Sequence, residues 1–507
     1  MFHSFPKSAS HTLAWIVLSS FVALDALAAG EPAVRRGFTD ITKESGVEQV
    51  VAEHYAKVPK WWLSGMDLAD LDGDGHLDLV LGAHGQEGVI ALNDGKGHFS
   101  TAKATGLFLT EIHLACDASE HGRLDLQLTH SDGGGRWFFN ASSGGALSFN
   151  AVAPVPGQAR ENAMIDLDRD GFVDWIHEQG AGLQVEFGDG RESFPRKDWI
   201  AGLRETSALP VDLNGDGFID LVLKQCGYHA EKIGRCQILL NDGKAKFANV
   251  TEAGGLQEEG LVIQGVGDVN HDGAPDLICL DHGKTVEIYL NDGAGHFTRL
   301  PNAVSGMEPA RRPTYANWGL AVVTDFDNDG VADILMNGRN FLYVLRGTGG
   351  GHFEYMNRAW GIDDHSTAAV DEGICFGDIN GDGALDIIGS KGSENHKSVA
   401  VYRNDLPARH WLNVRLTGAP GNRCAAGAKI RVLEPGSGKL LWFEQAVIAG
   451  RQSAHSYYAT PATERHFGLG ARETVNVAVE FYPSGNVVKQ SAVAANRTIE
   501  IAEPAKQ

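Results

Sequence analysis

The chain repeats one nine-residue pattern, D-x-[DN]-x-D-G-x-x-D, six times: "DLDGDGHLD" from Asp70, "DLDRDGFVD" from Asp166, "DLNGDGFID" from Asp212, "DVNHDGAPD" from Asp268, "DFDNDGVAD" from Asp325 and "DINGDGALD" from Asp378. A seventh copy, "DASEHGRLD" from Asp117, keeps the first Asp, the Gly and the last Asp but puts Ser119 and His121 where carboxylates stand elsewhere. Counted from loop to loop, the period is roughly 46 to 57 residues. A repeat of that length confines the fold to an open solenoid or a closed ring of like units.

Carboxylates packed this closely repel, so the pattern is worth folding only if something neutralises it. Ca²⁺ does so, because it takes six to eight oxygen ligands at about 2.3–2.6 Å and favours carboxylates on a short loop. In the first copy Asp70, Asp72, Asp74 and Asp78 offer side-chain oxygens, His76 offers its backbone carbonyl, and Gly75 permits the sharp turn. The same positions give Asp166, Asp168, Asp170, Phe172 and Asp174, then Asp212, Asn214, Asp216, Phe218 and Asp220. They give Asp268, Asn270, Asp272, Ala274 and Asp276, then Asp325, Asp327, Asp329, Val331 and Asp333, and finally Asp378, Asn380, Asp382, Ala384 and Asp386. Phe172, Phe218, Ala274, Val331 and Ala384 would contribute backbone carbonyls, as His76 does. About six Ca²⁺ are therefore expected, with the Asp117 loop keeping its turn but binding calcium weakly or not at all.

This chemistry also locates the acidity. The net charge is −22, and the six complete loops hold 21 aspartates; six bound Ca²⁺ would leave about −10. Such a balance argues against a nucleic-acid or anionic-membrane partner.

Between acidic loops runs a second recurring element, a strand-like stretch ending in an Asn-Asp-Gly turn and a Gly-x-Phe return: "LNDGKGHF" to Phe99, "LNDGKAKF" to Phe247 and "LNDGAGHF" to Phe297, with looser versions ending at Phe149, Phe194 and Phe353. Such turns between apolar runs are hairpin signals, so each unit reads as loop, strand, hairpin, strand. The last unit stops at "VYRND" without its return. A matching arm, "RGFTDITKESGV" at Phe38, lies at the other end of the repeats. A ring whose last blade borrows a strand from the N-terminal segment leaves no sheet edge exposed. The loops with their Gly-x-Phe returns resemble FG-GAP/VCBS repeats. After Asp405, short alternating runs such as "HWLNVRL", "AKIRVLE" and "VNVAVEFY" carry no acidic loop, and "NRCAAGAKIRV", "RHFGLGA" and "VEFYPSG" resemble an ASPIC/UnbV domain. That family usually shows Trp-Pro-Ser-Gly where this chain has Tyr482, Pro483, Ser484 and Gly485. The expected fold is all-β: a seven-bladed β-propeller over residues 29–405 with calcium-binding loops, followed by a small β-sandwich-like C-terminal domain over 406–507.

The first 28 residues, with Lys7, the apolar run "LAWIVLSSFVALDALA" and an A-x-A site, match a cleavable secretory signal. Cleavage near Ala28 would place the mature chain in the periplasm or outside the cell. No other segment approaches a membrane span. Of the six cysteines, Cys226 and Cys236 bracket "GYHAEKIGR" closely enough to pair. Cys116, Cys279 and Cys375 sit by apolar runs and read as buried thiols, whereas Cys424 has no evident partner.

Catalysis finds little support. His54, His229, His365 and His396 sit in loop-like stretches, and no nucleophile elbow, paired-glutamate signature or zinc motif accompanies them. Trp61, Trp62, Trp318 and Trp360 could stack on sugars or pack between blades. The reading is an extracytoplasmic calcium-binding interaction module for a protein or glycan ligand on a propeller face. The alternative is a calcium-dependent, lyase-like enzyme acting on polysaccharide.

Overall fold

The computed structural model describes residues 37–505 except 60–62, 84–86, 106–111, 120, 130–134, 144–145, 152–161, 180–181, 191–193, 202–205, 226–235, 258–259, 282–284, 308–314, 340, 363–372, 394–395, 447 and 451–463. The proposed signal segment, Trp61, Trp62, His229, His365 and Cys226 lie outside the described residues.

Among the described residues each acidic loop joins two neighbouring antiparallel strands of one sheet, and seven sheets built this way follow in chain order, those of Asp117 and Asp325 each adding a short parallel strand, Ala104–Thr105 and Val304–Ser305. The Asp70 sheet shows the plan: Leu63–Ala69, Asp78–Ala83, Val89–Asn93 and Phe99–Thr101, each strand paired with the next. Burial accounts for the composition of these strands. Leu79, Val80 and Leu81 are fully buried although successive side chains point to opposite faces, because both faces of the sheet pack against neighbouring sheets. Leu79 and Leu81 join a core with Cys375 and Ile388 of the Asp378 sheet. Val80 faces Leu126 and Leu128 of the Asp117 sheet.

The first strands lie innermost: Leu63–Ala69 touches both Ile112–Cys116 and Ile374–Gly377, and Leu261–Gly267 touches Tyr315–Thr324. Shared cores carry the remaining junctions, including one that joins Phe326 and Leu335 of the Asp325 sheet to Phe376 and Ile387 of the Asp378 sheet. This is the arrangement of a β-propeller. Its last sheet is completed as expected: Phe38–Asp40 pairs antiparallel with His396–Asn404, with Phe38 opposite Asn404. Phe38 is fully buried, 6.0 Å from Trp360 and 6.2 Å from Phe326 between ring centroids. Among the described residues two short helices depart from the all-β pattern, Val47–Lys57 and Asn357–Trp360. Helix Val47–Lys57 follows the closing strand and buries Val47, Val50 and Val51, the i, i+3, i+4 spacing that gives a helix one apolar face.

Beyond Asn404 two further sheets share one core. Glu464–Gly470, His410–Thr417 and Arg497–Ala502 form the first. Leu440–Gln445, Lys429–Leu433, Thr474–Glu480 and Val487–Ala494 form the second. Leu412, Val414, Ile430, Val432, Phe467 and Val477 are buried between them. A short strand from this region, Ile448–Gly450, leaves its own sheets and pairs with Asn162–Ile165, the innermost strand of the Asp166 sheet.

Cys236 corrects one expectation. Its thiol donates to the Gln257 carbonyl oxygen at 3.1 Å, so the bridge to Cys226 is not what this structure shows, and no disulfide occurs among the described residues. Cys116, Cys279 and Cys375 are buried thiols, as their apolar surroundings suggested.

Candidate metal centres and the interdomain face

All seven loops turn the same way. The glycine at the sixth position, from Gly75 to Gly383, has φ between 75 and 99° in each, a region a side chain would strain. The first Asp is held from both sides: Asp70 Oδ1 accepts from Gly73 N–H at 2.8 Å and Oδ2 from Gly75 N–H at 3.0 Å. Asp166, Asp212 and Asp378 repeat this geometry. The last Asp is buried and ties the loop to its sheet, Asp78 accepting from Leu71 N–H and Asn93 N–H, both at 3.0 Å.

The loops therefore preorganise their carboxylates. Ligand oxygens of Asp70, Asp72 and Asp78 lie within 4.8 Å of one another, as do those of Asp166, Asp168 and Asp174 and those of Asp325, Asp327 and Asp333. In the other three loops Asn214, Asn270 and Asn380 take the third position, each donating from Nδ2 to the fifth-position Asp at 2.8–2.9 Å. Burial, reinforced by neighbouring carboxylates, pushes Asp78 and Asp220 up to about 7 and Asp174 and Asp276 up to about 8. Asp333 and Asp386 rise well above the carboxylate range for the same reason. Carboxylates so disfavoured as bare anions, with oxygens converging on one point, fit a hard dication.

Three loops also meet cationic side chains. Arg346 Nε lies 2.7 Å from Asp327 Oδ2 and its NH2 2.5 Å from Asp329 Oδ2, while Arg409 NH1 is 2.9 Å from Asp327 Oδ1. Lys429 Nζ is 2.5 Å from Asp212 Oδ2, and Arg196 pairs with Asp168. Among the described residues no such pair is found at the Asp70, Asp268 or Asp378 loops. The Asp117 loop keeps its turn, with Asp117 accepting from His121 N–H and Gly122 N–H at 2.9 Å, although the missing carboxylates leave it fewer oxygens.

Nothing in the repeat pattern signals that the acidic loops face the C-terminal region. Tyr482 Oη donates to the Asp166 carbonyl at 2.9 Å, and Gln445 Oε1 accepts from Asp212 N–H at 2.9 Å. Trp411 lies so close over the Asp378 loop that a Cβ at Gly383 would collide with its indole ring. The fourth loop position carries the missed signal. It is left-handed in every complete loop: Gly73, Gly215 and Gly381 occupy it in three, and Arg169 (φ 63°), His271 (62°) and Asn328 (54°) in the others. The side chains of those three residues all reach the C-terminal region. Arg169 NH2 donates to Pro483 O at 2.9 Å, His271 meets the Trp442 ring edge-on at 4.5 Å, and Asn328 Oδ1 is 2.6 Å from His466 Nε2. A left-handed residue bearing a side chain costs on the order of 1 kcal/mol, so its recurrence marks a function for the side chain, here docking.

The docked sheets leave a cleft of about 640 Å³ over the Asp378, Asp70 and Asp117 loops, lined by Asp70, Asp378, His121, Arg123, Trp411 and Arg423 among others. The remaining sequence candidates do not gather there. His54 is buried, its Nε2 is 2.7 Å from Glu87 O, and burial lowers its pKa. Trp360 is core. Trp318 and His396 lie in the strands Tyr315–Thr324 and His396–Asn404. No helix among the described residues is long and apolar enough to cross a membrane.

The family model for the FG-GAP-like repeat matches residues 268–336 and 325–389, and the model for ASPIC and UnbV matches 418–507. Cartilage acidic protein 1 of Mus musculus is 26% identical over 281 residues, covering 52% of this chain and 41% of the relative, and its Homo sapiens counterpart is 26% identical with 52% and 40% covered. The chain thus spans about two-fifths of the length of the curated relatives it matches. A solved structure of an Agrocybe aegerita lectin, described as recognising non-reducing terminal N-acetylglucosamine, is similar at 19% identity over 58% of this chain and 79% of that one, with a TM-score of 0.40. The chain therefore carries FG-GAP-like repeats in a β-propeller followed by an ASPIC and UnbV domain, and is similar to cartilage acidic protein 1.

Proposed function

We propose that this protein is a calcium-binding recognition module that works outside the cytoplasm, with a signal peptide removed near Ala28, a propeller over 29–405 and a recognition-bearing C-terminal domain over 406–507. The six complete loops hold one Ca²⁺ each through the residues named above, and the ions are structural. The convergence of carboxylate oxygens on preformed points supports the metal, since bare carboxylates in those places are disfavoured. The cleft between the acidic-loop face and the C-terminal sheets supports recognition. It is concave and polar, and two parts of the chain line it, which suits a protein or glycan ligand better than a small apolar one.

Two measurements test this reading. EDTA is expected to lower the melting temperature by many degrees and added Ca²⁺ to restore it, because ion binding to the folded state alone is folding free energy. A melting curve indifferent to chelator would overturn the metal assignment. Glycan-array and pull-down binding should then depend on Ca²⁺. Ligand capture that is equal with and without EDTA would remove calcium from the recognition role.

A further inference from the structure

Cys116 ends the innermost strand of the Asp117 sheet, and Cys424 belongs to the C-terminal region. Both are buried thiols, each 3% exposed, in one apolar cluster with Trp137, Met164, Ala426 and Tyr482. The backbone N–H of Asp117 donates to Cys424 Sγ at 3.0 Å. Since Cys116 Cα is only about 2.4 Å from that nitrogen through two covalent bonds, it lies within about 5.5 Å of the Cys424 sulfur. A Cα so near the opposite sulfur is compatible with a disulfide without a large backbone movement.

We propose that Cys116 and Cys424 form a disulfide under oxidising conditions, pinning the C-terminal domain to the propeller across the Asp117 loop. The physiological setting rests on the extracytoplasmic reading above. The bond forms by thiol–disulfide exchange with a disulfide-bearing oxidant, such as glutathione disulfide or an oxidoreductase. One cysteine thiolate attacks the oxidant's disulfide, forming a mixed disulfide and expelling one oxidant thiolate. The second cysteine, deprotonated, attacks the protein-side sulfur of the mixed disulfide, which closes the Cys116–Cys424 bond and expels the other oxidant thiolate. Two protein thiols lose two protons and two electrons, and the oxidant gains both pairs as two thiols. Burial of the finished pair would shield it from reductants, and the exchange would take place as the domain docks during folding.

The choice of this pair is specific. Cys375 is packed in a different cluster, with Val401 and Leu79. Cys236 and Cys279 share a third, so they supply the internal comparison. A bond here would link residues on opposite sides of the domain junction, which the other cysteines do not span. It would also close the side of the C-terminal domain that adjoins the cleft, fixing the Arg423 wall relative to the Asp117 loop.

The test is peptide mapping of the full chain after refolding in a glutathione redox buffer, with alkylation under denaturing conditions before digestion. The expected result is a Cys116–Cys424 cross-linked peptide, a mass 2 Da below the reduced chain on that account, and two fewer alkylated thiols. Dithiothreitol should convert the cross-linked peptide to two alkylated ones. Cys424→Ala should abolish the cross-link and lower the melting temperature of the oxidised protein towards that of the reduced wild type. Full alkylation of both residues after oxidation, or pairing of either with a different cysteine, overturns the proposal. Mapping wild-type protein needs no variant to fold. Export assayed separately decides the compartment, so loss of the localisation reading and loss of the disulfide are distinguishable.

Discussion

Asn93 Nδ2 donates to the Ile379 carbonyl oxygen at 2.9 Å, joining residues 286 apart in the chain. The same amide donates to Leu77 O at 3.1 Å, within its own sheet, and Asn93 Oδ1 accepts from Gly95 and Gly97 N–H. The device recurs around the ring. Asn140 reaches Leu71 O, Asn241 reaches Leu167 O, Asn291 reaches Leu213 O and Asn404 reaches Phe326 O, each carbonyl belonging to the second position of the preceding sheet's acidic loop. Gly188 and Gly347 stand in the corresponding places of the Asp166 and Asp325 sheets. The bond from Asn93 to Ile379 joins the first acidic-loop sheet to the last, so it closes the circle on the loop face.

These staples lead to the first prediction. Asn241→Ala would strand the Leu167 and Ile219 carbonyls, which the amide now satisfies at 3.0 and 2.9 Å, and would release the Gly243 N–H. Unpaired buried groups cost about 1–3 kcal/mol each, partly recovered by water, so a loss of about 2–3 kcal/mol is expected in urea unfolding at saturating Ca²⁺. A change under about 0.5 kcal/mol would mean that the turn needs the residue only for its local geometry.

Lys429 gives the second. Its side chain is 14% exposed and that of its partner Asp212 1% exposed, so Lys429→Met leaves a buried carboxylate without its counter-charge. Removing one partner of a buried pair costs about 3–5 kcal/mol, and a residual exposure of Lys429 places the expected loss near the low end, about 3 kcal/mol. Ca²⁺ held by the same loop would supply positive charge at the same carboxylate. The loss should therefore be largest in EDTA and smaller at millimolar Ca²⁺. Equal losses in both conditions would separate Lys429 from the metal chemistry of the loop.

Asp74→Ala is expected to remove one central carboxylate from the Asp70 loop, where Asp74 Oδ1 accepts from His76 N–H at 2.9 Å. Sheets of a repeat array depend mainly on their neighbours, so the other loops should keep their ions. Native mass spectrometry should count about one Ca²⁺ fewer per chain. An unchanged count would show that Asp74 holds no metal.

Much of this was legible before the fold. The Asp-rich loops, the Gly-x-Phe returns and the borrowed strand at Phe38 are periodic or complementary features, and periodicity survives in sequence. What was not legible is the contact between loops and C-terminal sheets. Arg169, His271 and Asn328 replace glycine in a turn that tolerates any left-handed residue at a cost, and nothing in a single sequence says what such a side chain touches. Asn93 and its equivalents were visible only as turn formers, because the carbonyl they reach lies in another repeat. Ile448–Gly450, a strand that leaves its own sheets, is too short to carry a pattern of its own.

The last prediction tests closure. Phe38 packs against Trp360 and Phe326 at the seam where the chain's two ends of the propeller meet, and it is fully buried. Phe38→Ala should cost about 3–5 kcal/mol by opening a cavity in that seam. Deleting residues 29–42 goes further, removing Phe38–Asp40 and exposing the His396–Asn404 edge, whose backbone groups would then be free to pair with another chain. Size-exclusion chromatography should show association of the truncated protein, with a lower melting temperature, while the point variant stays monomeric at the same concentration. If the truncated chain remains monomeric with unchanged stability, the strand is an accessory to the ring and the staple from Asn93 to Ile379 suffices to hold it shut.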